Sequence, residues 1–368
     1  MHITSIRVFQ VDLPLKEGRY SWAEGKFVDV FDSTLVEIST DTGLHGIGEI
    51  CPLGPFYLPA FGPGARTAIE HLAPHLLGQD PREVGRINQI MDSALLGHPY
   101  AKSALDMACW DLLGRAVALP LCVLLGGRFG AAIDLYRAIS QESPAAMAAK
   151  VAQYRAEGYR KFQLKVGGDP QDDIDRIRAV AAVLERGELL MADANCGWLA
   201  NDAIRVANAV RDIDVYIEQP CRELDKCVAV RRQISQPFIL DESIDSIEAL
   251  LGAHQQKAMD AINLKIAKVG GLSKAKQVRD LCVTLGIPMN IEDSWGGDVT
   301  TAAIAHLAHS TPERYRLAAT DFNSYVTVSN ASGAPQRVNG QIQASVQPGL
   351  GVELNFDVLG DAVAEYVE

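Results

Sequence analysis

FQLK (162–165), LLMAD (189–193), VYIE (215–218), FILD (238–241) and INLK (262–265) are five short apolar runs, each closed by an ionisable residue. The closing residues Lys165, Asp193, Glu218, Asp241 and Lys265 follow one another at steps of 28, 25, 23 and 24 residues. A short run of this kind reads as a strand buried on both faces. A step of about 25 residues accommodates one strand, one helix and two short loops. One ionisable group therefore stands near the C-terminal end of each of five successive strands. In a (β/α)8 barrel those ends converge on a single mouth, where active sites form.

Working outward, the alternation of strand and helix continues on both sides. Candidate strands are Leu135–Ile139, Phe162–Lys165, Leu189–Asp193, Val215–Glu218, Phe238–Asp241, Ile262–Lys265, Pro288–Ile291 and Arg316–Ala319, the eight that a closed barrel needs. Ser143-Pro144 reads as an N-cap with proline in the first turn, and Gly158 as that helix's end. Ser273 is expected to open another helix and Gly286 to close it. The first 125 residues differ. Strand-like segments at Ile3–Leu13 and Thr34–Ile38, a turn at Asp41-Thr42-Gly43 and a returning strand at Gly46–Ile50 precede three helical patterns, Ala65–Leu77, Pro81–Leu96 and Tyr100–Val117. Two loops, Glu17–Asp29 and Cys51–Gly64, are rich in Gly, Pro and aromatics and suit lids over a neighbouring site. The expected fold is thus α/β: a (β/α)8 (TIM-like) barrel over 126–331, with an α+β capping domain built from 1–125 and a C-terminal tail, 332–368, returning to it.

Composition excludes several classes of function. A net charge of −12 argues against nucleic acid or an anionic membrane surface as partner. No apolar run approaches a membrane span, and the alternating N-terminus with Asp12 reads as a strand, not a signal peptide. The seven cysteines are odd in number, with no CxxC pair, as expected of reduced thiols in a cytoplasmic protein.

Asp193, Glu218 and Asp241 come from three adjacent strands. A lone Asp at a strand end is more often a helix cap or ion-pair partner, but three acids in phase repel one another unless a cation neutralises them. Oxygen-only ligation selects Mg2+, with Mn2+ a possible substitute, over Zn2+. Lys165 and Lys265 stand on strands 2 and 6, across the mouth from each other. Each alone reads equally well as an ordinary ion pair or a Schiff-base lysine. Two lysines flanking a metal triad favour paired acid and base chemistry, with a lysine pKa expected to fall into a range useful to a base.

These residues resemble the enolase superfamily in its muconate-lactonizing-enzyme subgroup, over essentially the whole chain. The strand-2 lysine motif is matched by Gln163-Leu164-Lys165. The ligands ending strands 3, 4 and 5 are matched by Asp193 in Asp-Ala-Asn195, Glu218 in Ile-Glu-Gln-Pro220 and Asp241 in Leu-Asp-Glu242. The second lysine is matched by Lys265 in Asn-Leu-Lys-Ile-Ala-Lys-Val-Gly-Gly271. The first motif usually reads Lys-x-Lys, so Gln163 removes a neighbouring cation unless Lys161 supplies it. No His lies within Pro288–Asp298, unlike the mandelate-racemase subgroup. The resemblance implies proton abstraction alpha to a carboxylate, with Mg2+ and a lysine base, a pairing long established for this superfamily.

Local strings are similar to the cis-3-hydroxy-L-proline dehydratases of that superfamily: LPLKEGRY (13–20), GHPYAK (97–102), YRAISQE (136–142), KFQLKVGGD (161–169), WGGD (295–298) and ATDFNSY (319–325). That resemblance implies elimination of water from the hydroxyproline to give Δ1-pyrroline-2-carboxylate, with Lys165 as base and Lys265 as acid. A racemase or epimerase of proline betaine, using the same two lysines, is the alternative. A small amino-acid substrate and a homo-oligomer are expected. For the cationic ring nitrogen, Trp295 offers a cation–π face and Asp293 or Asp298 a counter-charge. Trp295 reads equally as packing under the cap, and Asp298 as a helix cap. Tyr57, Phe56, Tyr20 and Trp22 on the two lid loops are candidate pocket walls.

Overall fold

The computed structural model describes all 368 residues, Met1 to Glu368. Eight strands, Tyr136–Ile139, Lys161–Lys165, Leu189–Asp193, Tyr216–Glu218, Phe238–Leu240, Ala261–Lys265, Met289–Glu292 and Arg316–Ala319, form one sheet in chain order. All seven ladders are parallel, and a bridge between Leu135 and Ala319 nearly closes the barrel. Each strand begins and ends within one residue of its place in the sequence reading. The apolar runs persist because helices cover the outside while side chains fill the inside.

Register decides what meets at the mouth. Lys165 is the direct partner of Asp193, and Asp193 of Glu218. Lys265 is the direct partner of Glu292. Register partners leave a sheet on the same side, so these charged ends share the barrel interior.

The helices begin largely where their punctuation indicates. Ser143 Oγ accepts from Ala146 N, with Pro144 in the first turn, and Gly158 follows the helix at φ +99°. Ser273 departs from expectation. The helix Leu272–Leu285 is entered through Gly271 at φ +114°, and Ser273 lies inside its first turn. Its hydroxyl donates to Asp106 Oδ1 at 2.5 Å and accepts from Trp110 Nε1 at 2.8 Å. Ser273 thus ties the barrel to the helix Pro99–Ala116. A Cβ on Gly271 would lie 2.5 Å from Asp106 Oδ2, so this junction requires glycine.

The N-terminal strands Ile3–Pro14, Val30–Thr40 and His45–Ile50 form an antiparallel sheet, and Ala364–Val367 pairs with the outer edge of Ile3–Pro14. Helices Gly62–Leu76, Val84–Ala94 and Pro99–Ala116 pack on it. Gly48 lets the last of these approach closely, since a Cβ there would sit 2.0 Å from Ala104 O. The sheet is apolar on both faces. Ile6 and Val8 join the cap's own core, whereas Phe9, Val11 and Leu13 join the core shared with the barrel. No helix is long and apolar enough to cross a membrane. All seven cysteines are free, and six are buried.

Candidate active site

Lys165 and Lys265 line one narrow cavity of about 20 Å3 from opposite sides of the barrel mouth. Tyr136 and Ala138 of strand 1, Gln163 of strand 2 and Glu292 of strand 7 complete its lower wall, and Tyr20, Leu53 and Tyr57 reach in from the lid loops. A larger cavity, about 250 Å3, lies beyond Tyr57 and shares Tyr57 and Ser294 with the first. It contains neither Lys165 nor Lys265, so the smaller cavity holds the paired acid–base groups.

Asp193, Glu218 and Asp241 lie beneath this wall, each no more than 1% exposed. Asp193 Oδ2 accepts from Lys165 Nζ at 2.5 Å, and its Oδ1 from Asn195 N at 2.8 Å. Asp241 Oδ2 accepts from Lys265 Nζ at 2.5 Å and from the Tyr57 hydroxyl at 3.0 Å, while Oδ1 accepts from Lys268 Nζ at 2.7 Å. Glu218 Oε1 accepts from Gln163 Nε2 at 2.8 Å and Asn263 Nδ2 at 2.6 Å. Its Oε2 is buried with no partner in the protein. As the side chains stand, no three acids, His or Cys gather closely enough to hold a metal ion, because Asp193 and Asp241 are drawn onto lysines.

The donor set nonetheless fits a hard cation. Burial first, then the charge of Asp193, pushes the Glu218 carboxyl well above its ordinary range, and Asp241 adds to this. A divalent cation would offset the burial and both neighbouring charges and give the orphaned Oε2 a partner.

Among the protein groups alone both lysines are held protonated, whereas the fall in pKa is expected beside a bound cation. Burial works to lower the Lys165 pKa, but Asp193, Tyr20 and Glu218 overturn it, and the ammonium is held well above its ordinary value. Burial likewise opposes, and Asp241, Glu292 and Glu242 outweigh it, at Lys265, whose pKa is also raised. Each lysine faces a full carboxylate charge, which stabilises its protonated form. Lys161 does not replace the missing motif lysine. Its Nζ binds Asp134 and the Leu317 carbonyl at the start of strand 2, while Gln163 is occupied with Glu218.

The remaining candidates divide. Tyr57 touches Asp241 and also accepts from Lys265 Nζ. Asp293 lines the cavity, but both its oxygens accept backbone N–H groups, from Ser294 and Ala267, and burial raises its pKa to about 7. Asp298 is a correction: it is absent from the cavity lining. Its Oδ1 accepts from Asn323, and its Oδ2 from Ser329 and from Ala331 N. It locks the segment after strand 8 onto a helix start and does not cap that helix, whose cap position is Gly297. Trp295 lines the cavity, but its faces are not free for a cation. Phe31 stacks on it at 4.2 Å and 13°, and Tyr20, Phe322 and Tyr325 pack within 5.2 Å. Of the other lid aromatics, Tyr20 lines the cavity, whereas Trp22 is buried behind it and Phe56 is half exposed.

Glu292 was missed. The Tyr136 hydroxyl donates to its Oε2, Lys265 Nζ stands 3.6 Å from its Oε1, and Oε1 has no hydrogen-bond partner. The rule that flagged the other five applies here too, since Met289–Glu292 is an apolar strand closed by an acid. Lys268, within the motif that carries Lys265 but given no role there, reaches Asp241 from the short helix Ile266–Val269.

The Trp295 loop is held from the cap. Glu49, fully buried at the end of the third cap strand, accepts from Ser33 Oγ, Gly297 N and Asn330 Nδ2 through Oε1, and from Thr300 N through Oε2. Gly297, which precedes the helix Asp298–His309, has no side chain to cap it, and the Glu49 carboxylate satisfies those N–H groups instead.

Comparison with known proteins agrees with this geometry. Residues 14–126 match the mandelate racemase / muconate lactonizing enzyme N-terminal domain, and residues 146–358 the enolase C-terminal domain-like family. A cis-3-hydroxy-L-proline dehydratase from Roseibium aggregatum is 60% identical over 366 residues, covering 100% of both chains. A mandelate racemase/muconate lactonizing enzyme structure from Roseovarius nubinhibens ISM superposes with a TM-score of 0.97 at 44% identity, covering 100% of this chain and 99% of that one. An enolase-superfamily member from the same organism, complexed with magnesium, gives 0.94 at 42% identity over 100% of both. With both halves matched and the barrel-mouth residues in register, this chain belongs to the mandelate racemase/muconate lactonizing enzyme family of the enolase superfamily.

Proposed function

We propose that the chain dehydrates cis-3-hydroxy-L-proline to Δ1-pyrroline-2-carboxylate. The observation that carries this reading is the single cavity lined by Lys165 and Lys265 from opposite sides, each lysine paired to a candidate metal ligand. The full-length likeness to a cis-3-hydroxy-L-proline dehydratase supports it, and the likeness to a magnesium complex supports Mg2+.

In this substrate the carboxylate and hydroxyl share one ring face, so the alpha hydrogen lies on the other. Elimination needs a base on one face and an acid on the opposite one. Lys165 takes the alpha proton. The C3–O bond breaks, and Lys265 delivers a proton so that hydroxide departs as water. The resulting enamine tautomerises to the cyclic imine. Asp193, Glu218 and Asp241 would hold Mg2+, which supplies a counter-charge for the substrate carboxylate, where negative charge grows as the alpha proton leaves. Glu292, with Oε1 unpartnered, supplies the counter-charge for the ring ammonium, backed by Asp293. Tyr57 closes the cavity over Lys265.

The test is incubation with Mg2+ in D2O, following the ring protons by NMR. Loss of the C3 proton signal and appearance of the imine is the expected result. An intact cis-3-hydroxy-L-proline beside an epimerised proline betaine would overturn the assignment.

A further inference from the structure

The chemistry above leaves Trp295 without a task, although it lines the cavity and is 2% exposed. Its indole Nε1–H is buried and has no hydrogen-bond partner in the protein. Leaving a buried donor unpaired is costly, and such a group calls for an explanation. A cation–π role does not provide one. Phe31 covers a face of the ring nearly in parallel, and three further aromatic rings pack around it.

Trp295 lines the cavity, so a molecule bound there is the candidate acceptor. The loop carrying Trp295 is not free to turn away, because Glu49 fixes Gly297 and Thr300 just beyond it. Among amino-acid substrates the choice of acceptor is narrow. A protonated ring nitrogen has only N–H groups to offer and cannot accept. A carboxylate is drawn to strands 3–5, where the three acids would hold its cation. Trp295 follows strand 7, beside Glu292 and Asp293. The one acceptor on the rest of the proposed substrate is the C3 hydroxyl oxygen.

We propose that Trp295 is a specificity-determining residue whose indole N–H donates to the C3 hydroxyl of the substrate, alongside the protonated Lys265. This inference rests on the proposed dehydratase activity. The hydroxyl oxygen accepts from both groups, so the N–H selects a hydroxylated ring over a bare one and holds the leaving group toward its acid. Unhydroxylated proline leaves the N–H unpaired.

The experiment compares wild type with Trp295→Phe, which keeps an aromatic ring in the stack and deletes the donor. A second variant replaces Trp295 with 3-benzothienylalanine, in which sulfur takes the place of the indole N–H at nearly constant shape. Steady-state kinetics with cis-3-hydroxy-L-proline are measured beside competitive inhibition by L-proline, which lacks the hydroxyl. Both variants should lose about tenfold in kcat/KM, while the inhibition constant of L-proline moves less than about twofold. Unchanged kcat/KM in the benzothienyl variant overturns the proposal. An equal weakening of L-proline also overturns it, because the N–H would then serve the carboxylate or the shape of the pocket. Absence of dehydration by wild type is a different result, and it rejects the dehydratase reading before any variant is made.

Discussion

The two lysine arms of the mouth are built on the same plan and placed in unequal surroundings. On the strand-2 side, Lys165 has one carboxylate partner, Asp193, with Tyr20 above it. On the strand-6 side, Lys265 meets Asp241, the Tyr57 hydroxyl and, at 3.6 Å, Glu292. The residue two places before each lysine differs in the same sense. Gln163 and Asn263 both donate to Glu218 Oε1, but Asn263 is also braced by Asn290. Both ammoniums are held protonated by their neighbours, Lys165 by Asp193, Tyr20 and Glu218, and Lys265 by Asp241, Glu292 and Glu242. The contrast between the arms lies in their hydrogen-bonded company and not in which lysine keeps its proton more firmly, and it follows from neighbours contributed by strand 7 and a lid loop.

Four experiments break or sharpen that contrast. Removal of divalent cations should act on both arms alike, abolishing dehydration and alpha-proton exchange together. Mg2+ should restore both and raise the melting temperature by several degrees or more, since it binds only the folded carboxylate cluster. Persistence of turnover after exhaustive chelation would remove the metal from the scheme.

Single lysine replacements should separate the arms. Lys165→Ala and Lys265→Ala should each lower dehydration by about 10³-fold or more, the range of positioned acid–base catalysis. Deuterium exchange at the alpha carbon should be lost only in Lys165→Ala if that lysine is the base proposed above. Loss of exchange in Lys265→Ala alone would reverse the two roles.

Tyr57→Phe deletes one hydroxyl from the strand-6 arm. A hydrogen bond involving charged partners contributes about 1.5–3 kcal/mol, so a fall in kcat of about tenfold or more is expected. Alpha-proton exchange measured on the same variant should change less, because the strand-2 arm is untouched.

The last experiment reads stability in place of turnover and contrasts the mouth with a buried histidine outside it. His306 is fully buried, and its Nδ1 accepts from Cys122 N while Nε2–H donates to the Leu350 carbonyl. Burial depresses its pKa from 6.5 to about 4. Between those values the unfolded chain binds the extra proton and the folded chain does not, so stability is complete above pH 6.5 and is lost as pH falls toward 4. The shift corresponds to about 3 kcal/mol. Urea midpoints at pH 7 and pH 4.5 should differ more for wild type than for His306→Gln, and equal differences would show that other groups carry the acid sensitivity.

Much of this was legible in the chain. The eight barrel strands emerge from apolar runs because a strand buried on both faces has no alternative composition. Lys165, Asp193, Glu218, Asp241 and Lys265 stood out because a charge at the end of such a run is costly without a reason. Glu292 obeys the same rule, since it closes the strand Met289–Glu292. Asp298 and Ser273 misled because a short polar residue near a helix start looks the same whether it caps that helix or ties two segments together. Here Asp298 binds Asn323 and Ser329, and Ser273 binds Asp106.

The barrel, the order of charged groups around its mouth and the family are legible in the chain alone, since all three depend on periodicity and on residue identity at strand ends. Which atoms meet is set by the folded arrangement. The pairing of Lys165 with Asp193, the enclosure of Lys265, the unpartnered oxygens of Glu218 and Glu292 and the Trp295 N–H depend on register and on loops from distant parts of the chain. Residues such as Tyr57 and Asp241 lie 184 positions apart, and no local pattern records a contact closed only when the cap folds onto the barrel.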